Sequence, residues 1–342
     1  MNASSFRLRA VKFFLGGCVF FAGQGLRAEP FVPRDDQQVL ERLRTVPLDR
    51  AARDLRDLRF RLSTKPDDLA VASQLAWRCI ERSREEGDPR YLGHAQAALS
   101  PWWNVTQPPV EALILRATIE QSQHDFPHAL NDLDLALQMS PTSAQPWLTR
   151  ATILTVLGRY EEARRSCVPL VRLAPQLVAM TAAANVASLS GSAERSCALL
   201  RTALERAPSA KPTEKLWTLT LLAETSARLG KDLEAEEHFK SALALDGRDP
   251  YLLGAFSDFL LGQGRAAEVV ALLKERTRVD PLLLRLALAE AALSPALPAL
   301  RDHVNTLQAR FESSRLRGDT VHRRERPRES ANPYSIRTLA YA

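Results

Sequence analysis

The stretch of residues 157 to 175, LGRYEEARRSCVPLVRLAP, decides the fold. Its glycine, its alanine and its proline are spaced as the turn before a helix, the buried face of that helix and its end. Gly158 tolerates the left-handed backbone conformation in which a preceding helix can end. Ala163 and Cys167 are four residues apart and share one face of the helix that follows. Pro175 lacks an N–H group, so it ends that helix or begins the next connection. The stretch predicts packing rather than catalysis.

A first helix precedes Gly158. Trp147, Ala151 and Leu154 lie at i, i+4 and i+7, which places them on one helical face. The matching face of the second helix consists of Tyr160, Ala163, Cys167 and Leu170. Ala151 and Ala163 are small, which lets the two helices approach closely. Because neither helix can bury its apolar face alone, each pair needs another pair stacked on it, and the pattern predicts a solenoid.

The pattern is repeated along the chain. Ala163, Leu170 and Pro175 have counterparts thirty-four residues earlier in Ala129, Ala136 and Pro141. Later copies are Gly191, Ala203 and Pro208, then Gly230, Ala235, Phe239 and Ala242, then Gly264, Val269, Leu273 and Pro281. Periodicity of this length indicates a stacked array of helix pairs.

Residues 147 to 175 resemble the tetratricopeptide repeat (TPR), with the pattern W-x3-A-x2-L-x2-L-G-x-Y-x2-A and a closing proline. The resemblance covers about residues 67 to 318. Good units start near residues 110, 144, 177, 216 and 250, a looser one near 73 and a last one near 284. The resemblance implies an all-α fold, a right-handed α-α superhelix of about six to seven helix pairs. It also implies a scaffold that binds a polypeptide on its concave surface.

The segments that do not match the repeat have separate interpretations. In residues 29 to 66, apolar residues at helical spacing between 37 and 46 and between 50 and 62 predict an N-terminal helical cap. Residues 207 to 213 contain two prolines and predict a linker. Residues 319 to 342 are an Arg-rich irregular tail. This tail is either natively disordered or the product of a reading frame interrupted before further repeats.

Residues 1 to 28 have the order of a secretory signal peptide, with a basic stretch, an apolar core and a polar end at Ala28. The apolar core is too short to span a bilayer permanently. Cleavage near Ala28 is expected, which predicts a periplasmic or secreted protein. The sequence LGGC leaves an alternative open, in which lipid is attached to Cys18 and the protein is a lipoprotein anchored at the envelope.

Charge argues against nucleic acid as a partner. Four of the 46 Lys and Arg residues lie in the signal peptide, so the rest nearly balance the 40 Asp and Glu residues. A nucleic-acid-binding surface needs a basic stripe that neutralises phosphates, and the repeats contain none.

Potential reactive residues are better explained by packing. Cys79, Cys167 and Cys197 each stand in an apolar helical pattern, where cysteine is a small core residue, although a disulfide between Cys167 and Cys197 stays open. His124 precedes a predicted helix start, so it would not point the same way as His128. No cofactor-binding or hydrolase motif is present. We therefore expect no metal, no cofactor and no enzyme activity.

Trp102 and Trp103 are adjacent in the connection after the loosest repeat. Such a pair either covers the seam between neighbouring helices or forms an exposed platform. The second interpretation supports an alternative function, in which the protein is an accessory subunit or weak hydrolase acting on envelope polymers.

If the repeat register holds, one strip of residues on the first helices faces the concave groove. The predicted groove residues are Thr152, Thr181, Asn185, Trp217, Thr220, Glu224, Tyr251 and Asp258. A mixed polar and aromatic strip suits an extended peptide or a helix. Asn185 lies where some repeat proteins clamp a terminal carboxylate, but the lysines of such a clamp are missing. The sequence thus predicts an envelope adaptor that binds a protein or peptide.

Overall fold

The computed structural model describes residues 50 to 316, and no strand occurs among them. The described helices are α1 (Arg50–Thr64), α2 (Leu69–Glu86), α3 (Arg90–Ala98), α4 (Ser100–Trp103), α5 (Val110–Ser122), α6 (Phe126–Met139), α7 (Ala144–Val156), α8 (Tyr160–Cys167), α9 (Leu170–Leu173), α10 (Gln176–Leu189), α11 (Ala193–Glu205), α12 (Pro212–Arg228), α13 (Asp232–Leu245), α14 (Pro250–Gly262), α15 (Ala266–Leu273), α16 (Asp280–Leu293) and α17 (Pro298–Leu316). Between residues 50 and 316, none of them has the length and apolar character to cross a bilayer.

Apart from the four-residue helices α4 and α9, the helices after α1 form consecutive pairs. The pairs are α2 with α3, α5 with α6, α7 with α8, α10 with α11, α12 with α13, α14 with α15, and α16 with α17. Each first helix also packs against the first helix of the next pair. The pairs therefore stack in sequence order, which confirms the predicted all-α superhelix of TPR type.

The turn inside six of the seven described pairs has the left-handed geometry that the sequence predicts, whereas Ser294, after α16 in the last pair, is extended. Gly158 has a φ of 72°. The N–H of Arg159 donates to the carbonyl oxygen of Leu154 over 2.8 Å, which satisfies a carbonyl group that the end of α7 would otherwise leave free. The other glycines of this type are Gly87, Gly191, Gly230 and Gly264. In the second pair His124 takes this position, with a φ of 60°.

The second helix of the third pair is shorter than expected. We expected one helix from Tyr160 through Leu170, but α8 ends at Cys167 and α9 begins at Leu170. The interruption lies at Pro169, whose ring cannot donate a backbone hydrogen bond and clashes with the preceding turn. Leu170 is still fully buried, so the broken helix keeps the predicted apolar face.

The core of the third pair consists of the small and apolar residues that the repeat pattern selects. Ala151, Ala163 and Cys167 are buried together with residues of α10, and Trp147 and Tyr160 pack partly buried at the edge. Close approach of the helices therefore depends on alanine at the contact positions.

The predicted linker is a turn-containing connection between α11 and α12, although it ends sooner than expected, because Pro212 already begins α12. Lys215 Nζ donates to the carbonyl oxygen of Pro208 over 2.6 Å, and the N–H of Lys211 donates to Glu214 Oε2 over 3.3 Å. These two bonds fasten the connection to the first turns of α12.

The N-terminal side of the array carries one extra helix. Leu55 and Leu58 of α1 are buried in the same core as Leu75 and Leu92 of the first pair. The signal peptide with its cleavage near Ala28, lipidation of Cys18, the helix at 37 to 46 and the tail at 319 to 342 lie outside the described residues.

Candidate functional site: the concave surface

The first helices of the pairs carry the predicted groove residues, and three of these remain partly exposed in the middle of the array. Thr152 of α7, Asn185 of α10 and Trp217 of α12 are half-buried. The Trp217 ring packs against the core between the third and fourth pairs. These residues form a row across three successive first helices, and packing holds its aromatic member in place.

The expected exposure of Thr181 and Thr220 was wrong, because both side chains are buried. Thr181 Oγ1 lies 2.8 Å from Thr218 Oγ1, so the two hydroxyls join α10 to α12 in the seam between them. Thr220 Oγ1 donates to the carbonyl oxygen of Leu216 within its own helix. Successive residues of a helix are rotated by about 100° about the helix axis. A difference of one position is therefore enough to move a side chain from the groove into the seam.

Glu224 and Tyr251 join α12 to α14 on the concave side. The Tyr251 hydroxyl donates to Glu224 Oε1 over 2.9 Å. Burial raises the pKa of the Glu224 carboxyl group. The pKa of Tyr251 is also raised, by burial of the Tyr251 hydroxyl and by the neighbouring Glu224 carboxylate. Yet Tyr251 as a whole is 65% exposed. The raised pKa of the hydroxyl and the exposure of the residue are both explained by a ring that borders a concavity, which protein surrounds and water enters.

Asp258 and Arg285 join α14 to α16 in the same way. Arg285 Nη2 and Nε donate to the two carboxylate oxygens of Asp258 over 2.6 and 2.8 Å. A Cβ atom on Gly254 would lie 3.5 Å from Cζ of Arg285, so the guanidinium group rests on the helix backbone. This bidentate pair fixes the arginine in one geometry.

A cavity of about 590 Å³ lies where the first pair meets the last two pairs. The predicted residues Glu224, Tyr251 and Asp258 line one side of it. Ser83, Arg84, Gly87, Pro89 and Leu92 of the first pair line the other side. The volume is in the range of small-ligand sites.

Arg84 gives this cavity a cation. Burial lowers the pKa of Arg84, although the nearby Glu81 acts in the opposite direction. Among residues 50 to 316, no carboxylate forms an ion pair with Arg84, whereas Arg285 across the cavity is neutralised by Asp258.

The tryptophan pair lies away from this cavity. Trp102 and Trp103 are half-buried and pack against the core of the first pair. Arg116 Nη1 donates to the carbonyl oxygen of Trp103, which ties α4 to α5. The contacts therefore give these rings a packing role in the seam between the first and second pairs.

The histidine pair does not form a ligand set. His124 stacks edge-on against Phe126, whereas His128 Nδ1 lies 2.8 Å from Asp125 Oδ2. The part of the chain from 50 to 316 contains no group of three side chains that could hold a metal ion.

The cysteines of the described residues are unlinked. Cys79, Cys167 and Cys197 are all buried free thiols. The bridge between Cys167 and Cys197 that the sequence left open is therefore not formed in this structure. Burial also raises the pKa of Cys167 to about 11, which keeps that thiol protonated and poorly nucleophilic.

Solved structures share this arrangement of helix pairs. Yeast Tom70 is 16% identical with a TM-score of 0.50, and the match covers 79% of this chain and 61% of Tom70. Cut9, in the APC/C hetero-tetramer Cut9-Hcn1, is 13% identical with a TM-score of 0.51, and the match covers 80% of this chain and 52% of Cut9. A monomeric mutant of IFIT1 with Gppp-AAAA is 11% identical with a TM-score of 0.53, and the match covers 79% of this chain and 66% of IFIT1.

The chain has a tetratricopeptide-repeat fold. It spans between about half and two-thirds of the length of the three matched structures. No protein-family model matches the sequence, and no curated protein matches it either.

In a TPR superhelix, residues from distant pairs meet only through the accumulated rotation of the pairs between them. The cavity is also lined by residues that were not among the predicted groove residues: Arg84, Gly87, Val279 and Arg285. One sequence signal was available for Gly87, since it stands at the turn position of its pair. Nothing in the sequence indicated that Val279 would lie against it.

Proposed function

We propose that the protein is a non-catalytic scaffold of the bacterial cell envelope, which binds a polypeptide on its concave surface. The TPR fold supports this proposal, because Cut9 of the matched structures is in complex with a second protein, Hcn1. A rigid array of helix pairs offers an extended surface without requiring a catalytic residue.

The observation that carries the proposal is the partial exposure of three predicted groove residues, Asn185, Trp217 and Tyr251. The three residues lie on the successive first helices α10, α12 and α14, and each keeps part of its side chain exposed. Aromatic residues are enriched in protein interfaces, where a large ring contributes contact area at little entropic cost. A row across several helices suits a partner segment that runs along the superhelix.

The proposal is tested by affinity capture from an envelope extract. The first bait is the wild-type chain, and the second carries Asn185→Ala, Trp217→Ala and Tyr251→Ala. We expect the triple variant to lose at least one protein that the wild-type chain retains. Equal recovery of every partner by both baits would reject the concave surface as the binding site.

A matched control changes three exposed residues of the second helices. Arg164→Ala, Leu233→Ala and Glu237→Ala lie on α8 and α13, and Leu233 is 83% exposed. This variant should capture the same proteins as the wild-type chain. Thermal unfolding of each bait shows whether a loss of binding reflects a loss of structure.

Export to the periplasm or secretion is the second component of the proposal, and its support is the layout of residues 1 to 28. Mass spectrometry of the protein from the periplasmic fraction should find an N-terminus near Glu29. Labelling with a radioactive fatty acid would instead mark the alternative in which Cys18 is lipidated. A cytoplasmic protein with an intact N-terminus would contradict both alternatives.

A further inference from the structure

The first helix pair touches the region before the last pair across the concave side. Gly87, in the turn after α2, lies against Val279, the residue before α16. A Cβ atom placed on Gly87 would lie 2.6 Å from Val279 Cγ1 and 3.2 Å from both Cβ and Cγ2. The closing contact, defined as Gly87 against Val279, therefore has no space for even one methyl group.

Both sides of the closing contact are held in place by hydrogen bonds. On the first side, Ser83 Oγ donates to the carbonyl oxygen of Asp88 over 3.0 Å, and Arg90 pairs with the Asp88 carboxylate. On the second side, Arg310 Nη1 of α17 donates to the carbonyl oxygen of Thr277 over 3.0 Å and to Asp280 Oδ1 over 2.7 Å. The contact therefore joins two preformed segments.

The closing contact buries little compared with the seams between stacked pairs. The seams around α14 and α16 bury leucine, phenylalanine and valine side chains in one continuous core. At the closing contact a glycine, which has no side chain, meets one half-buried valine. Regions with few buried apolar contacts open at a lower free-energy cost than the core. The closing contact should therefore separate while every helix pair stays folded.

We infer that the closing contact is a latch that controls access to the concave surface. When closed, it borders the cavity of about 590 Å³, whose volume matches a small ligand rather than a length of polypeptide. When open, it separates α2 from α14 and gives a polypeptide a path to Glu224 and Tyr251. This inference rests on the proposed function in one respect only, namely that the ligand which enters through the open latch is a polypeptide.

The first test uses Gly87→Ala. The added methyl group meets Val279, whose β-branched side chain has little rotational freedom and whose carbonyl oxygen accepts from Leu282 and Leu283 at the start of α16. The matched control is Gly230→Ala, because Gly230 has a φ of 70° against 63° at Gly87, and a methyl group added there would have no other atom within 4 Å. The backbone strain is therefore similar in both variants.

Small-angle X-ray scattering distinguishes the two variants. We expect a larger radius of gyration for Gly87→Ala than for the wild-type chain, no increase for Gly230→Ala, and a return to the wild-type value in Gly87→Ala with Val279→Ala. Equal values in all four proteins would overturn the latch. A disulfide formed in Gly87→Cys with Val279→Cys provides a closed reference. A wild-type value as large as that of Gly87→Ala and well above that of the oxidised reference would show that the contact is not closed in solution, and would also overturn the latch.

The second test measures access to the cavity by cysteine labelling. Ala255→Cys places a thiol in the cavity lining, and Ser241→Cys places one on the exposed surface of α13. The native thiols Cys79, Cys167 and Cys197 are buried and form a low background. The probes are N-ethylmaleimide, which is small, and a polyethylene-glycol maleimide, which is bulky.

The latch predicts that the bulky probe labels Ala255→Cys several-fold more slowly than Ser241→Cys, while the small probe labels both at similar rates. Adding Gly87→Ala should raise the bulky-probe rate at residue 255 several-fold and leave the rate at residue 241 unchanged. A bulky-probe rate at residue 255 that does not respond to Gly87→Ala would overturn the latch. Neither test contains a partner, so failure of the affinity capture leaves both results valid.

Discussion

The second and third helix pairs use one arginine position differently. Arg116 in α5 and Arg150 in α7 occupy the same place in the repeat. Arg116 Nη2 donates to Asp132 Oδ1 over 2.7 Å, with the arginine 13% and the aspartate 5% exposed. Arg150 instead donates to Ser166 Oγ and to the more exposed Asp134. The second pair thus contains a buried ion pair where the third pair has a hydrogen bond from the charged Arg150 to a neutral hydroxyl.

The same two pairs differ at two further positions. Glu120 of the second pair occupies the place of the fully buried Leu154, and His124 occupies the place of Gly158. Burial and the neighbouring Asp132 raise the pKa of Glu120 to about 7, and its buried Oε2 has no hydrogen-bond partner. The repeat geometry therefore accommodates polar residues in a seam, and we expect such residues to make its stability depend on their partners and on pH.

Removing one member of the buried ion pair should have the largest effect. Asp132→Ala leaves the Arg116 guanidinium group in the seam without the carboxylate to which it is hydrogen-bonded. We expect the free energy of unfolding to fall by about 3–5 kcal/mol. Urea denaturation followed by circular dichroism measures it. Ser166→Ala is the matched change in the third pair and should cost only about 1 kcal/mol, because Arg150 keeps Asp134. Equal losses would contradict the comparison.

The small residue at the start of each second helix is a feature that both pairs share. Ala129 and Ala163 occupy the same repeat position, and both are fully buried. Ala163→Phe should overpack the seam and lower the free energy of unfolding by about 1–3 kcal/mol. Ala129→Phe should act similarly. An unchanged melting temperature in either variant would show that the seam is not close-packed there.

Glu120 should make the second pair weaken as the pH rises. Its pKa is higher in the folded chain than the ordinary 4.5, so the folded state binds more protons between pH 4.5 and about 7. Stability from this group is therefore full below that interval and is lost as the pH rises through it. Glu120→Gln should raise the free energy of unfolding by about 1–2 kcal/mol at about pH 8 and change it little at about pH 4.

A control for this pH dependence is Glu237→Gln, at an exposed position on α13. The difference between this variant and the wild-type chain should be nearly constant across the same pH range. A Glu120→Gln effect that is equally constant would show that the carboxyl group is not responsible.

The smallest expected effect concerns the turn of the second pair. His124 adopts the left-handed conformation that costs a residue with a side chain more than glycine. His124→Gly should raise the melting temperature slightly, equivalent to less than about 1 kcal/mol, because the stacking on Phe126 is lost at the same time. A clear decrease would show that the ring contact outweighs the backbone strain.

Local signals in the sequence were sufficient for the repeat. Gly158 and Pro175 predicted where helices end, because a left-handed turn and a missing N–H group act on the nearest backbone alone. Pro169 carries an equally local signal, but the apolar face from Tyr160 to Leu170 predicted one continuous helix across it. The burial of Thr181 depended on the rotation of α10 against α12. The cavity depended on the curvature of the whole array, which no single unit encodes.

The contact between Gly87 and Val279 has a consequence for how the chain unfolds. In an array where each pair touches only its neighbours, the terminal pairs can melt separately and cooperativity is limited. Here two segments separated by more than half of the sequence length also touch. Because this contact opens more easily than the core, its opening should precede fraying of the helices on either side of it, and α2 and α16 should then exchange their amide hydrogens independently.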